Sequence, residues 1–132
     1  MVALWDDHES ANDSWEGGAQ NHQPASEGDW GLRRAAAMQA YREWMPVSEE
    51  PWKAYAIGEL ATLYRTESRL LARTRPAYPA LQAAHAASDP DAALRAFRDG
   101  AWQDPAATML GSVQEQWLAA EFARNGRQGA WQ

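Results

Sequence analysis

The chain has 132 residues, 45% of them hydrophobic and 23% charged, the proportions of a globular domain rather than a disordered segment. A net charge of -6 leaves no basic stripe to hold nucleic acid, and the lack of cysteine excludes disulfides, thiolate nucleophiles and cysteine-ligated zinc. No run reaches the roughly 20 apolar residues that cross a bilayer, and the first residues have neither the basic nor the apolar region of a signal peptide, so the chain reads as soluble, with no membrane partner.

Met1 to Trp5 is a short apolar run that breaks into Asp6-Asp7-His8-Glu9, the pattern of a buried strand that delivers polar side chains at its C-terminal end. In α/β sheets such ends carry functional groups. Residues 10 to 29 have no periodicity and read as a long loop of the kind that often binds something. From Trp30 onward, Arg34, Met38, Tyr41 and Met45 recur at helical spacing, Ala35-Ala36-Ala37 favours helix, and Pro46 stops it. Met38, Tyr41 and Met45 are the expected inward face, and Trp30, Tyr41 and Trp44 read as core aromatics.

Two short runs, Lys53 to Ile57 and Leu60 to Glu67, flank Gly58-Glu59 and read as an antiparallel hairpin. Residues 70 to 108 read as a surface insertion with helical patches at Tyr78 to Ala87 and after Asp89-Pro90, proline being allowed in a first turn. Ser112-Val113-Gln114-Glu115 is a capping box opening a helix whose stripe is Val113, Trp117, Ala120 and Arg124, closed by Asn125-Gly126. Ala130-Trp131-Gln132 reads as a strand beginning and Met1 to Leu4 as a strand under way. Truncated elements at both ends make the chain read as an internal piece of a larger domain.

Asp6-Asp7-His8-Glu9 gathers three carboxylates and an imidazole at one turn, donors that suit Ca, Mg, Mn, Fe or Zn. Charged clusters of this size are also common on solvated turns, and spacing alone leaves that reading ahead. The sequence around the cluster changes the balance. Trp5-Asp6-Asp7-His8-Glu9, Asn12-Asp13 and Gly17-Gly18-Ala19-Gln20-Asn21-His22, then Leu32 to Pro46, Ile57 to Arg69 and Met109 to Leu118, come in the order of conserved-looking blocks and resemble the PhoD-like alkaline phosphatases of the metallophosphoesterase superfamily. Residues 70 to 108 fall outside these blocks. Where the family reads Asp-Thr-Arg, this chain has Glu67-Ser68-Arg69, which puts the structural role of that acid in question.

The resemblance implies an α/β fold: part of a sandwich of two sheets flanked by helices, helix-rich here, with residues 1 to 132 as the central part of a phosphatase catalytic domain. It implies a phosphate-ester substrate and two or three cations, Ca and Fe by resemblance, with Mn or Zn as further candidates. It makes Asp7 a metal ligand, His8 the catalytic group facing the phosphate, Asn12 a second contact to metal or phosphate, and Asp6 and Glu9 the supporting layer around them. The parent protein would be periplasmic or secreted. His22 reads as a solvated loop histidine rather than a ligand, while Arg34 and Arg69 suit the turn's carboxylates, a phosphate or, equally, a buried structural ion pair. A different class of reading stays open: a non-catalytic interaction module descended from such an enzyme, binding a partner through its tryptophan-bearing helices.

Overall fold

The computed structural model describes residues 1–126. These form five α-helices and one hairpin, α1 (Pro24–Glu27), α2 (Trp30–Trp44), β1 (Lys53–Ile57), β2 (Ala61–Arg65), α3 (Tyr78–His85), α4 (Pro90–Asp99) and α5 (Gly111–Gly126), with a 3-10 turn at Ala101–Gln103. The composition is mixed α/β, with a single two-stranded sheet among the described residues. The expected strand at Ala130-Trp131-Gln132 lies outside those residues. No described helix is long and apolar enough to cross a membrane.

α2 forms as its sequence predicts. Asp29 caps it, Oδ1 accepting the Leu32 N–H at 2.9 Å and satisfying one of the donors a helix start leaves free. Met45 is extended, at φ -110 and ψ 122, because the ring of Pro46 disfavours helical backbone in the residue before it. The helix presents Trp30, Met38 and Tyr41 to a core of Trp5, Ala11, Ala19 and Leu70. Trp44 does not join them and is 84% exposed. It is the last residue of α2, three positions beyond Tyr41, and aromatic character alone does not bring it inward.

Met1 to Trp5 is not a strand. The segment has no regular secondary structure and no ladder partner among the described residues, and backbone N–H and C=O groups define a strand only when a neighbour takes them up. Met1 and Val2 are exposed, whereas Trp5 is buried and meets Tyr41 edge-on at 5.5 Å.

The hairpin pairs Lys53 with Arg65 through Ile57 with Ala61, and its turn takes three residues, Gly58 to Leu60, rather than two. Helix α5 packs on it through Tyr64, which meets Trp117 and Phe122 edge-on at 6.2 and 5.0 Å. Asn125 binds Thr62 Oγ1 at 3.3 Å and the Tyr64 hydroxyl.

The start of α5 departs from the capping box. The helix begins at Gly111, so Ser112 lies inside it, and Thr108 Oγ1 accepts the Gly111 N–H at 2.9 Å and donates to Glu115. The buried positions are Gly111, Gln114 and Asn125, while Val113, Ala120 and Arg124 are exposed. Polar positions replace the apolar stripe because each amide NH2 finds acceptors where it packs, and the Gln114 oxygen also accepts the Glu67 N–H.

Leu70 is 1% exposed and Arg73 is buried, so the chain leaves the core only after them. It returns at Thr108, whose carbonyl accepts both the N–H and the hydroxyl of Thr74, while Thr74 Oγ1 accepts the Thr108 N–H. Between these two threonines lie α3 and α4, packed on each other. Asp89 Oδ1 caps α4 by accepting the Ala92 N–H at 3.0 Å, and Pro90 occupies its first turn.

Candidate active site

The cluster at residues 6 to 13 is a tight turn rather than a strand end. The Asp7 carbonyl accepts N–H bonds from Ser10 and Ala11 at 2.9 and 2.8 Å and the Ser10 hydroxyl at 3.1 Å. Glu9 reaches back, Oε2 accepting the Asp6 N–H at 2.8 Å, one half of a capping box. Asp13 has φ +49, a left-handed conformation that aspartate tolerates better than most residues. That geometry sets the Asp13 N–H 2.7 Å from Asp7 Oδ2.

Asp7 is thereby fixed and shielded, at 7% exposure. Burial pushes its carboxyl up, but the backbone N–H bonds from Asp13 and Asp7 itself, with Arg69 and His8 nearby, more than offset this and hold it below the ordinary aspartate value of 3.8. Arg69 stands 4.0 Å from Asp7 Oδ1 and closes on Asp6 Oδ1 at 2.5 Å. One guanidinium therefore spans both aspartates of the turn.

His8 points outward. Its Nε2 is 3.0 Å from Asn12 Oδ1 and 3.9 Å from Asp7 Oδ2, and because an amide oxygen only accepts, Nε2 carries the proton in this arrangement. Asn12 is a junction: its side-chain amide donates to Gln20, its N–H to Asn21 Oδ1 at 2.9 Å, and its carbonyl accepts the Gln20 N–H at 2.9 Å. The structure thus brings Asp6, Asp7, His8, Glu9 and Asn12 into one turn, and adds Arg69 from after β2. Asp13, Gln20 and Asn21, which hold this arrangement, were not singled out as site residues from sequence. Their signal is the run of Asn, Asp and Gln in a stretch with no periodicity.

His22 is not solvated. It is buried against Trp30 at 5.1 Å, Nε2–H donating to the Gly28 carbonyl at 3.1 Å and Nδ1 accepting from Arg33 Nη1 at 3.3 Å. Both ring nitrogens are occupied in pinning the loop to the start of α2. Arg34 serves backbone as well, donating to the carbonyls of Glu16 and Leu70 at 2.8 and 3.0 Å. It touches no carboxylate of the turn.

Behind the turn lies a knot centred on Glu67. Oε1 accepts N–H groups from the Trp5 indole, Arg69 and Leu70 at 2.8, 2.8 and 2.7 Å, and Oε2 accepts from Leu71 at 3.0 Å. Gln114 of α5 meets the Glu67 backbone with both ends of its amide, each at 2.7 Å. The longer acid therefore keeps a structural role: it orients Arg69, two residues on, toward the turn.

As a metal site the turn is incomplete in itself. Asp7 has the right chemistry, an ionised hard-oxygen donor, and His8 an accessible ring. Yet among the described residues no three His, Cys, Asp or Glu side chains gather as a group able to hold a cation. A family model for PhoD-like phosphatases matches residues 1–132, the whole chain. No curated protein and no solved structure matches.

Proposed function

This chain belongs to the PhoD-like phosphatase family, and from that membership we propose that it forms part of the catalytic domain of a metal-dependent phosphoric ester hydrolase, supplying one corner of the active site. The observation that carries the reading is the pairing of a shielded, ionised Asp7 with an outward-facing His8 on one turn. A cation bound there supplies neutralisation of the phosphoryl charge and a more acidic water, with Ca and Fe the ions suggested by family resemblance and Mn or Zn as substitutes.

The chain's own residues have separate tasks. Asp7 offers a carboxylate oxygen whose position is set by the Asp13 N–H, so little rearrangement is required when a cation arrives. His8 carries a proton on Nε2 that rests on Asn12 and turns to a phosphoryl oxygen, where a donor stabilises charge as it develops. Asn12 holds that ring in place. Arg69 limits repulsion between Asp6 and Asp7. A catalytic cation takes more ligands than one carboxylate and one imidazole, so the remaining donors come from segments of the parent protein other than this turn.

The test uses the purified chain. Manganese binding, followed by loss of the free-ion EPR signal, should be weak and should vanish in an Asp7→Ala variant whose circular dichroism is unchanged. Hydrolysis of 4-nitrophenyl phosphate and its bis ester, with Ca, Fe, Mn or Zn added singly, should not exceed the buffer rate. Manganese binding that survives Asp7→Ala removes Asp7 as a ligand. Turnover that disappears in both Asp7→Ala and His8→Ala would show a complete site within this chain.

A further inference from the structure

Beyond the turn, the excursion between Thr74 and Thr108 borders a half-open hollow of about 580 Å³, a volume that suits a small organic molecule. Its wall is aromatic and aliphatic, with Tyr78, Leu81, Phe97, Trp102 and Met109. Phe97 and Trp102 stand 6.1 Å apart. Tyr78, Trp102 and Met109 are left 44%, 65% and 58% exposed, apolar surface of a kind that marks a binding site when it is gathered around one hollow.

Two guanidiniums border this apolar space. Arg73 is 7% exposed, and its guanidinium makes one hydrogen bond among the described residues, from Nη1 to the Ser14 carbonyl at 3.2 Å. Arg75 lies over the Trp15 ring at 5.4 Å. Neither has a carboxylate within ion-pair distance among the described residues, and Asp104, at the rim, is engaged with the Ala106 N–H. A buried cation without a counter-charge is costly, and an anion in the cavity removes that cost.

A neighbouring hollow lies between this one and the turn. A second hollow of about 130 Å³ shares Arg75, Pro76 and Tyr78 with the first and reaches Asp13 and Gln20, the residues that hold Asp7 and Asn12.

We propose that this cavity receives the aromatic or apolar group of an anionic ester, with Arg75, which lines both hollows, facing the anion. Taking the ester to be the phosphatase's own substrate rests on the function proposed above; the binding itself does not. The substrate class is then an aryl or similarly bulky apolar phosphate ester.

The experiment titrates the chain with 1-naphthyl phosphate, following naphthyl fluorescence anisotropy, with 1-naphthol and methyl phosphate as competitors that each carry one half of the probe. Each half should compete at least about tenfold more weakly than the whole, and Trp102→Ala and Arg75→Ala should each weaken binding about tenfold. Both side chains are exposed, so the fold survives their removal. Equal competition by either half, or wild-type affinity in both variants, overturns the proposal. So does a concentration-dependent dimer, seen by sedimentation, that disappears in Trp102→Ala, since the cavity's occupant would then be a second copy. Manganese binding that survives Asp7→Ala overturns the function proposed above and leaves the naphthyl phosphate result untouched, so the two readings fail separately.

Discussion

The indole N–H of Trp5 donates to Glu67 Oε1 at 2.8 Å across 62 positions of sequence, and through that bond the segment leading into the turn is tied to the segment that carries Arg69. Because the same carboxyl group also accepts three backbone N–H groups, its removal leaves four donors without that acceptor, those of Trp5 and Leu70 buried and those of Arg69 and Leu71 part-buried. Glu67→Ala should lower unfolding free energy by about 3 kcal/mol or more, and Trp5→Phe, which keeps the ring and drops one donor, by about 1 kcal/mol. Urea denaturation followed by tryptophan fluorescence measures both, and a Glu67→Ala loss no larger than that of Trp5→Phe would show that the knot is not the anchor.

Gly111 begins α5 at φ +75, and a Cβ placed there would come within 2.5 Å of the Ala72 Cβ. Gly111→Ala combines left-handed strain with a backbone-borne clash, so it should cost about 2–4 kcal/mol. Gly28, at φ +82 and ψ -162 with nothing within 4 Å, isolates the strain of a backbone region that only glycine adopts readily: Gly28→Ala should cost about 1–3 kcal/mol. Thermal unfolding of the two variants side by side checks the difference, and equal costs would show that the Ala72 contact yields freely.

Asp7 gives the fold a pH dependence. Its carboxyl is held below the ordinary value of 3.8 in the folded chain, so the unfolded chain takes up the proton first as pH falls. The stability that Asp7 contributes is therefore full above 3.8 and lost as pH drops through its folded value. Asp7→Asn should be less stable than the wild type at neutral pH, with the gap closing in acid. Urea midpoints across the acid range read this directly, and a gap constant with pH would mean that charge on Asp7 is irrelevant to folding.

Arg69 competes with any cation for Asp7. Its guanidinium is 4.0 Å from Oδ1, and a positive charge at that distance opposes a second one. Arg69→Gln should strengthen manganese binding about threefold while weakening the turn slightly. The EPR titration reads the affinity; a weaker affinity in the variant would make Arg69 an organiser of the metal corner instead of its competitor.

Much of this was legible in the sequence, and the exceptions have physical reasons. α2 and the hairpin are local: Asp29, Pro46 and the β-forming residues around Gly58 act on neighbours a few positions away. The clustering of Asp7, His8 and Asn12 is local too. What was not legible depends on distant partners. Met1 to Trp5 carries a strand's composition but finds no strand beside it among the described residues. Gln114 and Asn125 are buried because Glu67, Thr62 and Tyr64 accept their amides, and His22 because Gly28 and Arg33 take both its nitrogens. Polar residues read as surface until their partners are known.

The two threonines that close the excursion set how freely it can vary. Since Thr74 and Thr108 hold each other directly, the chain leaves and re-enters the core at a single point. The entropy of closing such a loop changes only logarithmically with its length. Residues can therefore be gained, lost or exchanged between α3 and the 3-10 turn with little penalty and without disturbing Asp7 or His8. Under the two proposals made above, selectivity for the organic group and the chemistry at the turn would be separately adjustable quantities, and swapping this one segment between relatives would exchange substrate preference while leaving the turn that carries Asp7 and His8 in place.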